Sequence, residues 1–174
     1  MKYEITKKKK RGSRYSLTLY RIKALKDFGK VKAGDLGGWI EGELNLSQEG
    51  NAWVTGDDQV YGKAWVSGDA QVSGKAWVYG DAEVFGNARV SGDAEVFGNA
   101  QVYGDAKVYG NAKVYGDAEV FENARVSGNA QVSGNAQVSE DAEVYGDAQV
   151  YGDAQVYGKA WVSGHAKVYG DVFY

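Results

Sequence analysis

From Asn51 to Gly170 the chain repeats one six-residue phrase without insertion, as in GDAEVFGNAQVYGDAKVYGNAKVYGDAEVF. Written from its turn residue, the unit is [Asn/Asp]-Ala-x-Val-x-Gly, and the 120 residues hold 20 of them. Val fills the fourth position of every unit. Ala fills the second position of all but one, where Asp58 stands. No other feature narrows the fold so far, because a strict short period dictates a stack of identical small elements.

Ala and Val lie two apart, so in an extended strand they point to one side while the third and fifth residues point to the other. The Gly-Asn or Gly-Asp pair supplies residues that tolerate positive φ, as a sharp corner requires. Each unit is therefore a short strand and a corner. One Val and one Ala bury too little to stand alone, so the strand must coil and stack on its copies. Three sides close a triangular coil of 18 residues, and 20 units make a little under seven coils, a prism roughly 32 Å tall at the usual strand spacing. The expected fold is all-β, a parallel β-helix of about 6–7 coils with Val and Ala inside.

The spacing V-x-G-[ND]-A-x resembles the hexapeptide repeat of left-handed parallel β-helices. That resemblance implies the left hand, whereas the general rule for parallel crossovers favours the right. A coil of 18 also predicts columns. One corner column reads Asn51, Asp69, Asn87, Asp105, Asn123, Asp141, Lys159. This alternation separates like charges by two coils and lets the amides form ladders. Glu122 and Glu140, 18 apart, replace corner glycines and are expected as a solvated pair, since a hard cation would want more oxygen ligands.

Ahead of the repeat, residues 1–50 are expected to form a β-hairpin and capping segment, with residues 51–174 as the solenoid. Strand-like runs at Lys2–Thr6 and Tyr15–Leu25 flank the basic stretch Lys7–Arg14, which suits a solvated hairpin loop or a nucleic-acid arm. Residues 1–50 carry 12 Lys/Arg against 6 Asp/Glu, and the whole chain has a net charge of −3. The acidic solenoid argues against nucleic acid as a partner. The Gly37-Gly38-Trp39-Ile40 stretch suits a cover for the first coil, and Asp171–Tyr174 either closes the last coil or leaves an edge open for stacking. There is no Cys and no Pro, hence no disulfide frame and no cysteine metal site. A charged start without an apolar run gives the expectation of a cytoplasmic protein with no membrane span.

The run DFGKVKAGDLGGWIE, followed by NLSQEGNAWV, resembles the amino-terminal segment of YdcK-type hexapeptide-repeat proteins of bacteria, phages and prophages. This chain departs from that pattern in its near-identical repeats and short solenoid. Members of the family are labelled acyltransferases because of the repeat, and hexapeptide acyltransferases use a His in a cleft between trimer subunits, often helped by a protruding loop. The resemblance makes His165, the single His, the candidate general base. No loop interrupts the 20 units, and a corner His standing in for Asn or Asp is the plainer reading.

Function on a solenoid lies on its outward positions. One fifth-position column is Tyr61, Tyr79, Phe97, Tyr115, Ser133, Tyr151, Tyr169; a second is Ser67, Phe85, Tyr103, Phe121, Ser139, Tyr157; a third is mostly small. The aromatic column suits ladder stacking or an interaction face. Arg89, Lys107 and Arg125 form a basic stripe, a solvated face or a site for a small anionic ligand. Nucleophile elbows, phosphate-binding loops and zinc spacings are absent from the sequence, so no cofactor and no metal are expected. The residues favour a non-catalytic solenoid that binds a protein partner or self-associates, a three-fold ring being the simplest closure. An acyltransferase-like trimer holding an acyl-CoA or nucleotide between subunits is the alternative.

Overall fold

The computed structural model describes residues 1–11, 16–170 and 172–174. Strands β1 (Tyr3–Arg11), β2 (Thr18–Ala24) and β3 (Leu36–Ile40) precede a single 3-10 turn at Glu43–Asn45. Short strands then follow at six-residue steps from Trp53–Val54 to Lys167–Tyr169, closing with Val172–Phe173. They form three parallel sheets, one for each side of a prism. The register is 18 throughout the repeat, as in Val72, Val90, Val108 and Val126. The fold is a parallel β-solenoid of about seven turns, as the repeat predicts.

Inside, the second and fourth positions from Ala52 to Val156 have no exposed surface. Each buried Val contributes roughly 1.5–3 kcal/mol, so the core is thin but unbroken along the axis. Outside each corner the amide of the first position bonds the glycine carbonyl one coil on, as in Asn87 N–H to Gly104 at 2.8 Å. Gly86 shows why the corner is glycine: its φ is +68°, and a Cβ there would meet the Gly104 N and O at 3.0 and 3.1 Å.

The start of the chain lids the core. β1 and β2 form the expected antiparallel hairpin, with Tyr3 opposite Ala24 and Ile5 opposite Ile22. Tyr3, Ile22 and Ala24 pack on the end of the Val/Ala column. β3 runs antiparallel to β2 and parallel to Gln59–Val60, pairing Trp39 with Gln59 and Ile40 with Val60. Leu46 bridges Val66 in parallel. The coil path is thus under way before its sequence period begins. Gly37 and Gly38 allow the close approach expected of them, since a Cβ on Gly37 would lie 2.5 Å from Ile22 and one on Gly38 2.6 Å from Val54.

Two expectations are corrected here. Ile40 faces the core as a cover should, but Trp39 does not: strand alternation turns it outward, where it joins Leu19, Tyr61 and Tyr79. The core is closed by Tyr3 and Ile22 instead. The lysines of the basic run are not in a loop either. β1 extends to Arg11, so Lys7–Lys10 lie on the edge strand of the ten-stranded sheet, where charge hinders pairing with another edge. Gly12–Arg14, the rest of that run, and Tyr15 fall outside the described residues. At the other end, Val172–Phe173 pairs with Gln155–Val156 in a register of 17. Phe173 takes the inward place of a Val and stays 40% exposed.

Candidate functional site

The three flat sides carry the candidate residues, and the register decides which of them meet. On the ten-stranded side, Tyr61, Tyr79, Phe97 and Tyr115 stack at centroid spacings of 5.1, 4.9 and 4.9 Å with planes within 8° of parallel. Ser133 interrupts the column, and Tyr151 and Tyr169 resume it at 5.1 Å but tilted by 39°. On a second side Phe85, Tyr103 and Phe121 stack at 4.9 and 5.1 Å. Stacked offset rings stabilise the ladder beyond their buried area. Tyr61 and Tyr79 are 4% and 7% exposed, because the hairpin's Leu19 and Trp39 pack on them. The outward-facing part of this column is Phe97, Tyr115, Tyr151 and Tyr169.

Tyrosine hydroxyls tie the ladder sideways. Tyr79 and Tyr103 donate to Glu95 and Glu119 at 3.2 and 2.8 Å, and Tyr115 donates to Gln131 at 3.3 Å. Burial, followed by the Glu119 carboxylate, pushes the Tyr103 phenol up to about 12. The corners form the expected amide ladder. Asn51, Asn87 and Asn123 donate to Asp69, Asp105 and Asp141 at 2.8, 3.0 and 3.2 Å.

The third side carries the basic stripe. Arg89, Lys107 and Arg125 stand in register on adjacent strands, in a groove of about 560 Å³ that also includes Asp69, Asp105 and Asp141. Arg125 is 3.2 Å from Glu143. Like charges one strand apart repel, and the neighbouring corner carboxylates offset that repulsion. Three cations therefore share the groove with three aspartates. The same side exposes Tyr109, Tyr145 and Trp161, at 41%, 37% and 73%.

His165 lies at a corner with its side chain 89% exposed, its Nδ1 3.4 Å from Asp147. It occupies the Asn/Asp place in that column. Glu122 and Glu140 hold φ of +57° and +58°, the positive-φ non-glycines among the described residues. Their pairing is more specific than simple solvation, since the Glu122 carboxylate accepts the Glu140 N–H at 2.8 Å. Among the described residues, no three His, Cys, Asp or Glu side chains are grouped to hold a metal, and no helix is long and apolar enough to cross a membrane.

Sequence reasoning missed three buried polar residues that set the first coils. Lys2, 1% exposed, donates to the Ala52 and Glu49 carbonyls at 2.8 and 3.2 Å, and burial lowers its pKa to about 8. Asn45 accepts from Glu41 and Gly42 and donates to the Gly62 and Ala64 carbonyls, all at 3.0–3.1 Å. Asp58, fully buried, accepts the Ala76 N–H at 2.8 Å and faces the Thr55 hydroxyl at 3.4 Å. Only Asp58 left a signal, as the exception among the Ala positions.

A stacked unit of this spacing matches a known repeat. The family model described as YdcK Beta solenoid repeat matches residues 100–116, 124–140 and 148–164. The uncharacterized acetyltransferase YdcK of Escherichia coli (strain K12) is 46% identical over 43 residues. The chain carries a YdcK-type β-solenoid repeat. The matched stretch covers 25% of this chain and 13% of that relative, so the chain spans only a small part of the relative's length. The matched YdcK repeat segments start 24 residues apart. That is four units and not a whole number of coils, so the likeness follows the six-residue phrase and is independent of which side each unit occupies.

Proposed function

We propose that this chain is a non-catalytic structural solenoid that self-associates through the outward half of its ten-stranded side, most simply as a closed ring of three. The observation that carries this reading is the row Phe97, Tyr115, Tyr151 and Tyr169, whose rings stand on one flat side and keep exposed edges, reaching 64% at Tyr169. Aromatic rows on rigid, flat surfaces suit interfaces. A contact in which one margin of this side packs on the opposite margin of a neighbour's side is heterologous, and it closes as a ring of three when the turn between copies is a third of a circle. Phage or bacterial accessory use and a cytoplasmic setting belong to this same reading.

The test is light scattering behind size exclusion over a concentration series. A discrete species near three times 18.8 kDa, about 56 kDa, is expected. Tyr115→Ser with Tyr151→Ser should shift it to the monomer while the far-ultraviolet spectrum is kept. A monomer at all concentrations, or association unchanged in the double variant, overturns the proposal.

The relative's printed name favours a second reading, an acyltransferase-like trimer that holds an acyl-CoA between subunits. There His165 would act as base, with Asp147 orienting its ring from 3.4 Å. Acetyl-coenzyme A should then raise the melting temperature by linkage, and His165→Ala should abolish acetyl transfer. No shift and no turnover would end it.

A further inference from the structure

The interruption of the aromatic column has a counterpart on each side of the prism. In the coil 123–140 all three fifth positions are serine: Ser127, Ser133 and Ser139. The coil before it presents Tyr109, Tyr115 and Phe121, and the coil after it Tyr145, Tyr151 and Tyr157. Its three corners are all asparagine, and each donates to an aspartate of the next coil: Asn123 to Asp141, Asn129 to Asp147 and Asn135 to Asp153, at 3.2, 2.9 and 2.8 Å. The two glutamate corners, Glu122 and Glu140, bound this coil. A serine coil thus sits between two ringed coils, held in register at every corner.

On the ten-stranded side the missing ring leaves a cavity of about 220 Å³ lined by Tyr115, Gln131, Ser133, Gln149 and Tyr151. The column advances 4.9 Å per coil, so positions two coils apart stand about 10 Å from each other. One flat ring midway would lie about 5 Å from each neighbour, inside the range of stacked aromatic pairs. The volume suits one ring, since a cavity of roughly 150 Å³ already holds benzene. No charged side chain lines it. The Ser133 hydroxyl and the Gln149 amide offer hydrogen bonds to a polar ring edge.

We propose that the coil 123–140 is a ligand-binding collar: the cavity between Tyr115 and Tyr151, and by the same sequence pattern the ring gaps at Ser127 and Ser139, each accept one neutral, single-ring aromatic molecule of the phenol class. A free small molecule fits better than a protein's aromatic side chain, because the three slots face three different directions and one partner surface reaches only one of them. The proposal does not depend on self-association, which uses one side and leaves two slots open.

The probe is 4-fluorophenol, followed by fluorine NMR against the full chain, with cyclohexanol as a non-flat control of similar size. Binding in the millimolar range is expected for two stacking contacts and one or two hydrogen bonds. The variant Ser127→Tyr, Ser133→Tyr, Ser139→Tyr fills all three gaps and should weaken binding at least fivefold while raising the melting temperature. At a concentration where light scattering shows the chain to be monomeric, Tyr151→Leu, which keeps an apolar side chain at that position but removes one wall of a single slot, should lose about a third of the bound probe. Unchanged binding in the triple variant, equal binding of cyclohexanol, or no binding to the wild-type chain overturns the proposal. Light scattering on the same samples reports self-association separately, so failure of one reading is distinguishable from failure of the other.

Discussion

Asp58 is the one ionisable side chain placed among the inward Ala positions, and its environment decides how stability varies with pH. Burial, opposed by hydrogen bonds from Ala76 and Thr55, raises its carboxyl from 3.8 to about 7. A group whose folded pKa lies above its unfolded value contributes stability that is full below the unfolded value and is lost as pH rises through the folded one. The Asp58 contribution is therefore present below about pH 4 and gone above about pH 7. Asp58→Asn keeps an oxygen for the Ala76 N–H and removes the charge. The variant should match the wild type near pH 4 and exceed it by on the order of 2–4 kcal/mol at pH 8. Urea unfolding of both proteins at the two pH values measures this, and parallel pH profiles would refute it. At this scale the sequence was only partly legible. Asp58 stood out against 19 alanines in its position, whereas Lys2 and Asn45 look like any polar residues. Their importance comes from carbonyls 47 and 50 residues along the chain for Lys2 and 17 and 19 for Asn45, and only the folded chain brings these together.

At the scale of the strand and corner, the six-residue phrase gave nearly everything: which residues turn in, where φ becomes positive, and the 18-residue step that stacks Asn on Asp. The exceptions test the rule. Glu122 and Glu140 occupy the left-handed region, which costs a residue with a Cβ about 1 kcal/mol or more. Glu122 recovers part of that by accepting the Glu140 N–H, a bond that survives if position 140 becomes glycine. Glu140→Gly should therefore stabilise the solenoid by about 1 kcal/mol, with relief of the carboxylate repulsion adding to it. Glu122→Gly loses the bond as it relieves the backbone, and should be close to neutral. Thermal unfolding of the two single variants checks the asymmetry; equal shifts would mean that the hydrogen bond contributes nothing. The hairpin was less legible. Its strands were visible, but a run of lysines reads as a loop until the edge position of β1 explains why charge belongs in a strand there.

Over the whole molecule, every unit offers the same Val and Ala, so the core alone does not distinguish a shift of 6 or 12 residues from one of 18. The outer columns bear on it: a step of 12 would set Asp81 on Asp93 and Asp93 on Asp105, whereas the step of 18 sets Asn129 on Asp147 and Tyr79 on Phe97. Removing residues 123–140, one full coil, should leave a prism shorter by one turn. It would bring Tyr115 onto Tyr151, Phe121 onto Tyr157 and Tyr109 onto Tyr145 as direct neighbours, closing all three slots of the collar. Removing residues 123–134, two units, keeps the core phrase but rotates everything after it by one side, so at the one new junction Tyr115 meets Tyr145 and Phe121 meets Tyr151 while Tyr109 meets Ser139. The full-coil deletion should unfold cooperatively, with a denaturant slope lower by about one turn in seven and a near-ultraviolet tyrosine spectrum strengthened by the completed columns. Only one junction changes partners in either deletion, and each ladder contact is worth a few tenths to one kcal/mol, so the two deletions should differ by no more than about 1 kcal/mol. A two-unit deletion that is several kcal/mol less stable than the full-coil one would mean that the side each unit occupies, and not the six-residue phrase alone, sets the register.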